Sequence, residues 1–355
     1  IVFGQGSLAD FGWDGDVIRH EFTHSVANSV SVGVGQYQNF GDEWGVNVEQ
    51  GGMSEGYADI YPAFMSDEPT MGEYSLAAFG PMNVRDLTGD DVCPDYLIGE
   101  VHADSPGWSQ SLYQARTAAA GDDEEARHLF EQAVFVGLSA VVQKQGFAEA
   151  AAATLAAVED LLGGDARAAA AEVFAAHHTD DCPRLISDGG SGSVTKSSLA
   201  APYMVNGAAA SPYTPGIIQY HVTVDGEEAV NLELNLTAGG AGDMFDESGE
   251  PELEVLVRVD EPIQFTYSGT DVQVDDDVLG PLPMDADNKF SLVAADGALP
   301  AGDYYVMPVN VGDGAGNMTT IEVYAGAPAA AAGGQELYGE AGDDPDAGAG
   351  DGGAA

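Results

Sequence analysis

Basic residues are scarce in this chain: its 355 residues include 10 Lys and Arg against 59 Asp and Glu, a formal net charge of −49. That balance repels phosphate backbones and anionic lipid headgroups, which excludes nucleic acid and anionic membranes as partners. It favours solubility and attraction of cations, whether as adaptation to a saline habitat or as the surface of an extracellular protein with many cation sites. No run of 18 apolar residues occurs, so no segment reads as a membrane span. Cysteine is nearly absent. Cys93 and Cys182, each followed by proline, exclude a disulfide-rich scaffold; in a secreted chain the even count favours one disulfide, with two buried thiols as the alternative. No internal repeat and no signal peptide is visible, and the first residue is Ile1 rather than Met.

What is present is HEFTH, residues 20–24, within DGDVIRHEFTHSVANSV. Val17, Ile18, Phe22, Val26 and Val30 recur at three- and four-residue spacings and predict an amphipathic helix with these side chains as its buried stripe. Asp14 or Asp16 starts it, and Gly33 follows its end. On a helix His20 and His24 share a face, with Glu21 at its edge, a layout suited to zinc. A zinc site needs a third protein ligand. A second apolar-periodic segment, GGMSEGYADIYPAF at 51–64, places Glu55 and Asp59 four apart among Met53, Tyr57, Ala58, Ile60 and Tyr61. Glu55 is the candidate ligand, and Asp59 the carboxylate that accepts a histidine N–H and fixes its tautomer.

HEFTH, then GGMSEGYAD, then GEVHADSPGWSQSLYQAR at 99–116, resemble the glutamate-type zincins, the thermolysin and fungalysin group of secreted metallopeptidases. The fungalysin branch is the nearer, because its second motif reads Gly-Gly-Met-x-Glu-Gly after a longer insert, here 31 positions from His24 to Glu55. The resemblance implies Zn²⁺ held by His20, His24 and Glu55, with Glu21 as general base. It implies a tyrosine and a histidine as oxyanion donors. Tyr37 matches the tyrosine loosely, with an ordinary loop tyrosine as the alternative. His102 reads as a cleft-wall residue ahead of a transition-state donor, and Arg85 as a residue that orients the substrate carbonyl or as half of an ion pair. Asp16, Asp67, Glu68 and Glu73 resemble the calcium-site region of the group, implying Ca²⁺ as a second cofactor. An N-terminal lobe bearing a substrate-binding edge strand is also implied, although only 19 residues precede His20.

Beyond the third motif, acidic, Ser or Gly-adjacent starts and Gly stops delimit further helices up to about residue 178. SDGGSGSVTKSS shifts the composition to Gly and Ser and predicts a linker between units with separate cores. From 201 to 325 short β-rich runs follow, among them IIQYHVTV, LEVLVRV, DYYVMPVNV and TTIEVYA, spaced as in an antiparallel β-sandwich. LPAGDYYVMPVNVGDG resembles the prepeptidase C-terminal domain, a jelly-roll-like module of secreted peptidases. The last thirty residues are low-complexity and read as a disordered tail.

The expected fold class is therefore α+β and multidomain: a zincin-type, largely α-helical catalytic region at 1–186 with its N-terminal lobe mostly absent, a Gly/Ser linker at 187–200, an antiparallel β-sandwich at 201–325 and a tail at 326–355. The expected function is a secreted or cell-surface zinc endopeptidase, a monomer acting on protein and peptide substrates. The alternative is a non-catalytic or incomplete zincin acting as an extracellular binding protein.

Overall fold

The structure, a computed structural model, describes residues 9–36, 38–79, 84–199, 210–225, 229–236, 252–293, 299–312, 318–327 and 335–336. An N-terminal helical region with seven α-helices among the described residues is followed by a β-rich region. The helices are α1 (Gly15–Val30), α2 (Val32–Gly35), α3 (Glu49–Ser66), α4 (Pro106–Ala120), α5 (Glu124–Ala140), α6 (Phe147–Leu162) and α7 (Gly164–Ala176). None among the described residues is long and apolar enough to cross a membrane.

α1 begins where the Asp14 carboxylate accepts the Asp16 N–H at 3.0 Å, satisfying one of the unpaired donors of the first turn. Its rotation differs from the one expected of its apolar spacing. Ile18 and Phe22 are 40 % and 58 % exposed, while His20, Thr23 and Ala27 form the buried face. The face turned toward α3 is chosen by the histidines, and this leaves part of the apolar stripe in solvent.

α3 is buried along almost its whole length, which explains its glycines. A Cβ on Gly52 would lie 2.5 Å from the Asp104 carbonyl oxygen, and one on Gly56 would lie 2.8 Å from Trp108 Cδ1. Without side chains there, α3 lies directly against the start of α4. Beneath it Trp108 stacks on Phe147 and Phe174 with centroids 5.7 and 5.8 Å away, and meets Tyr57 edge-on at 5.5 Å. The disulfide Cys93–Cys182 ties the segment before α4 to the chain after α7, deciding between the two readings of the cysteines.

The β-rich region has two larger sheets. One is ordered Leu279–Pro283, Leu253–Val259, Gly302–Asn310, Gln219–Val224, Leu185–Ser187, with Thr214–Pro215 also paired to Gly302–Asn310. The other is ordered Gln335–Glu336, Lys289–Val293, Ala229–Leu236, Met318–Gly326, Ser193–Leu199. Pairing is antiparallel except at the short edge strands Leu185–Ser187 and Gln335–Glu336, which pair in parallel. Tyr220, Val222, Val255 and Val306 of the first sheet and Phe290, Leu292, Ile321 and Val323 of the second enter one buried cluster.

The expected linker is in part strand. Ser193–Leu199 pairs with Met318–Gly326, and Leu185–Ser187 with Gln219–Val224. Composition misleads there because Val194 and Ser198 alternate inward while the Gly and Ser residues at 189–192 make the turn. Of the expected tail, only 326–327 and 335–336 fall among the described residues.

The helical and β-rich regions share a buried seam. Val46 and Val48 belong to the same cluster as Ile217 and Ile218. The hairpin of Phe40–Asp42 and Gly45–Asn47 is held by Val46 N–H to Gly216 O, Phe265 N–H to Glu43 O and Tyr267 O–H to Gly45 O, each at 3.0 Å. At the centre Arg184, 1 % exposed, pairs with Asp42 and with Glu49 Oε1 at 3.1 Å, while Glu49 Oε2 accepts the Phe147 N–H at 2.8 Å. Glu49 is the first residue of α3, so the β-rich region fixes the end of the helix that carries Glu55. Arg184→Leu leaves two carboxylates in the seam without their cation and is expected to destabilise the chain by about 3–5 kcal/mol. Urea unfolding of the variant beside the wild type measures this, and a loss below about 1 kcal/mol is the result that contradicts it.

Candidate metal centre

α1 and α3 cross with His20 and His24 facing Glu55. The ligand atoms of these three residues lie within 4.8 Å of one another, the one such His/Cys/Asp/Glu group found among the described residues. His20 Nε2 stands 3.2 Å from His24 Nε2 and 3.2 Å from Glu55 Oε2, and His24 Nε2 is 3.4 Å from Glu55 Oε1. His20 and Glu55 are 7 % and 5 % exposed. Glu55 Oε2 is buried without a hydrogen-bond partner. Such an oxygen is costly to bury unless a cation or donor meets it. Two imidazole nitrogens and a carboxylate converging on one point suit Zn²⁺, and the residues present fit it.

Asp59, fully buried, sets the orientation. Its Oδ1 accepts from His20 Nδ1 at 2.9 Å, which leaves the Nε2 lone pair toward His24 and Glu55. The same oxygen accepts from Arg85 Nη1, so the arginine is held in an ion pair. Burial lowers the proton affinity of His20, but the hydrogen bond it makes to Asp59 and the facing Glu55 carboxylate outweigh it and raise its pKa to about 9. Burial pushes Glu55 up, and His20 and His24 more than offset this, holding it well below the ordinary carboxylate range.

His102 comes to the same site from the loop before α4. Its side chain is 53 % exposed, with Nε2 3.5 Å from Glu55 Oε2 and Nδ1 2.8 Å from Glu100 Oε1. The bond to Glu100 raises its pKa against a smaller effect of burial. Asp104 pins this loop by accepting the N–H groups of Ile98 and Gly99 at 2.6 and 2.9 Å; burial pushes it up to about 7 despite those bonds. Glu21 is half-buried beside the histidines and has no hydrogen-bond or salt-bridge partner among the described residues.

The other sequence candidates divide. Tyr37 lies outside the described residues. Asp16 accepts the Gly72 N–H at 3.3 Å, and burial, with the neighbouring carboxylates of Asp14 and Glu73, raises its pKa against that bond. Asp67 does not join them: it pairs with Arg116 and Arg127 at 2.7 and 3.0 Å. Glu68 is exposed. The expected calcium cluster is therefore divided between two places. Sequence reading missed Glu100, Asp104 and Ser54, whose Oγ lies 3.4 Å from His24 Nδ1. Only Ser54 carried a local signal, one residue before Glu55 on the same helix.

The chain matches no protein-family model and no curated protein.

Incubated with Zn²⁺ and dialysed, the chain is expected to retain one ion, and Glu55→Gln to lose most of it while its helical circular dichroism persists. Elemental analysis showing undiminished zinc in that variant removes Glu55 from the ligand set. Asp59→Ala is expected to loosen zinc by about 10- to 100-fold. A chelator competition titration that gives an unchanged affinity reduces Asp59 to a packing residue.

Proposed function

We propose that the chain is a zinc-dependent endopeptidase, similar to the glutamate-type zincins and nearest their fungalysin branch, that cleaves protein and peptide substrates outside the cell. The observation that carries the reading is the convergence of His20, His24 and Glu55 with Asp59 behind them, Glu21 following His20 on the same helix. The disulfide supports an oxidising, extracellular setting. The two sheets support the finer reading of the β-rich region as a jelly-roll-like sandwich.

His20, His24 and Glu55 would hold the ion. When bound, zinc polarises a carbonyl and lowers the pKa of water to about 7. Glu21, without a hydrogen-bond or salt-bridge partner among the described residues, takes the proton of the attacking water and passes it to the leaving amine. His102, hydrogen-bonded to Glu100, stands at the mouth of the site where it can donate to the developing oxyanion. Asp59 keeps the His20 ring turned, and Arg85 completes the charge balance of that buried carboxylate.

Glu21→Gln preserves shape and removes the proton acceptor. Chelator-sensitive cleavage of casein is expected to fall by at least about 10²- to 10⁴-fold with zinc still bound. Near wild-type turnover would move the base to another carboxylate, and absence of cleavage by the wild-type chain would favour a binding role.

A further inference from the structure

A cavity of about 620 Å³ opens beside the metal centre, walled on that side by Asp59, Arg85 and His102 and reaching past Asp86 and Asp91 to Gln110. The volume suffices for a long side chain. Its charges do not cancel. Arg85 is neutralised by Asp59, and His102 is paired with Glu100 and faces Glu55. Asp86 bonds only neutral partners: its Oδ1 accepts the Thr88 N–H and O–H at 2.9 and 2.7 Å, which holds its pKa down. Asp91 Oδ2 accepts from Gln110 Nε2 at 2.7 Å. Among the described residues neither carboxylate has a salt-bridge partner. A third observation lies in the wall, where Asp59 Oδ2 is fully buried without a hydrogen-bond partner.

From this geometry we infer that the cavity is a specificity pocket for a basic side chain, Lys or Arg, of a residue flanking the scissile bond, with Asp86 and Asp91 as the selecting groups. The inference rests on the proposed peptidase reading for its location. An apolar side chain filling the same space would leave two carboxylates facing it without a cation, and an acidic one would be repelled. The net charge of −49 adds long-range attraction for basic segments. The chain would thus act on basic proteins or basic stretches of them.

The test separates selectivity from turnover. Zinc-loaded full-length Glu21→Gln is titrated with acetylated Ala-Ala-X-Ala-Ala amides in which X is Lys, Leu or Glu, and binding is followed calorimetrically. The Lys peptide is expected to bind at least about tenfold more tightly than the other two. Adding Asp91→Asn is expected to remove most of that preference, and adding Asp86→Asn, on the exposed rim, to weaken it independently of any folding effect at Asp91. Equal or tighter binding of the Leu peptide, no binding by any of the three, or a Lys preference untouched by both substitutions overturns the inference. Wild-type digestion of a basic protein is scored separately. Lys-selective binding without any cleavage overturns the peptidase reading and leaves the pocket standing, whereas cleavage without preference at basic residues overturns the pocket alone.

Discussion

The carboxylate of Asp59 is the point on which the site depends. It is wholly buried, and a buried charge persists only where partners compensate it. Here one oxygen serves two of them, the His20 ring and the Arg85 guanidinium. Through His20 it fixes the rotation of α1, even though this leaves Ile18 and Phe22 in water. Through Arg85 it draws the strand Arg85–Asp86 to the edge of the candidate metal centre, creating one wall of the neighbouring cavity. For Asp59 to be so deep, α3 must be enclosed, and Gly52 and Gly56 are the places where enclosure becomes contact between backbones and ring.

Local periodicity made part of this legible. His20 and His24, and again Glu55 and Asp59, are four apart, and helical geometry alone puts each pair on one face. The β-rich runs at Gln219–Val224, Leu253–Val259 and Gly302–Asn310, set off by Gly, Pro and Asp clusters at regular spacing, became strands. Three features resisted. Apolar spacing names a stripe but not the direction it faces, so the exposed side of α1 was misjudged. Glu100 meets His102 in a turn that periodicity does not mark. Arg184 stands alone between Pro183 and Leu185, and its burial between Asp42 and Glu49 is a matter of residues about 140 positions apart coming together.

The seam around Arg184 changes the role of the β-rich region. A Gly/Ser-rich segment suggests an appended module, yet this one supplies strands, and Arg184 holds the first residue of the helix that bears Glu55. Hydrogen bonds from Val46, Phe265 and Tyr267 clamp the hairpin preceding that helix. The candidate metal centre is therefore positioned from two directions, by the helices beneath it and by the sheets beside it.

The few basic side chains have one further consequence. Arg116, Arg184 and Arg258 are buried in ion pairs, Arg85 is bound to Asp59, Arg127, Lys196 and Lys289 are half-buried within α5 and two strands, and the exposed ones are Arg19, Lys144 and Arg167. Arg19 and Arg167 sit within α1 and α7, where the chain is not extended, which leaves Lys144 in the turn between α5 and α6. On the proposed preference for basic residues, the folded protein offers its own kind almost no place to cut. Self-digestion would have to begin at that turn or wait for unfolding.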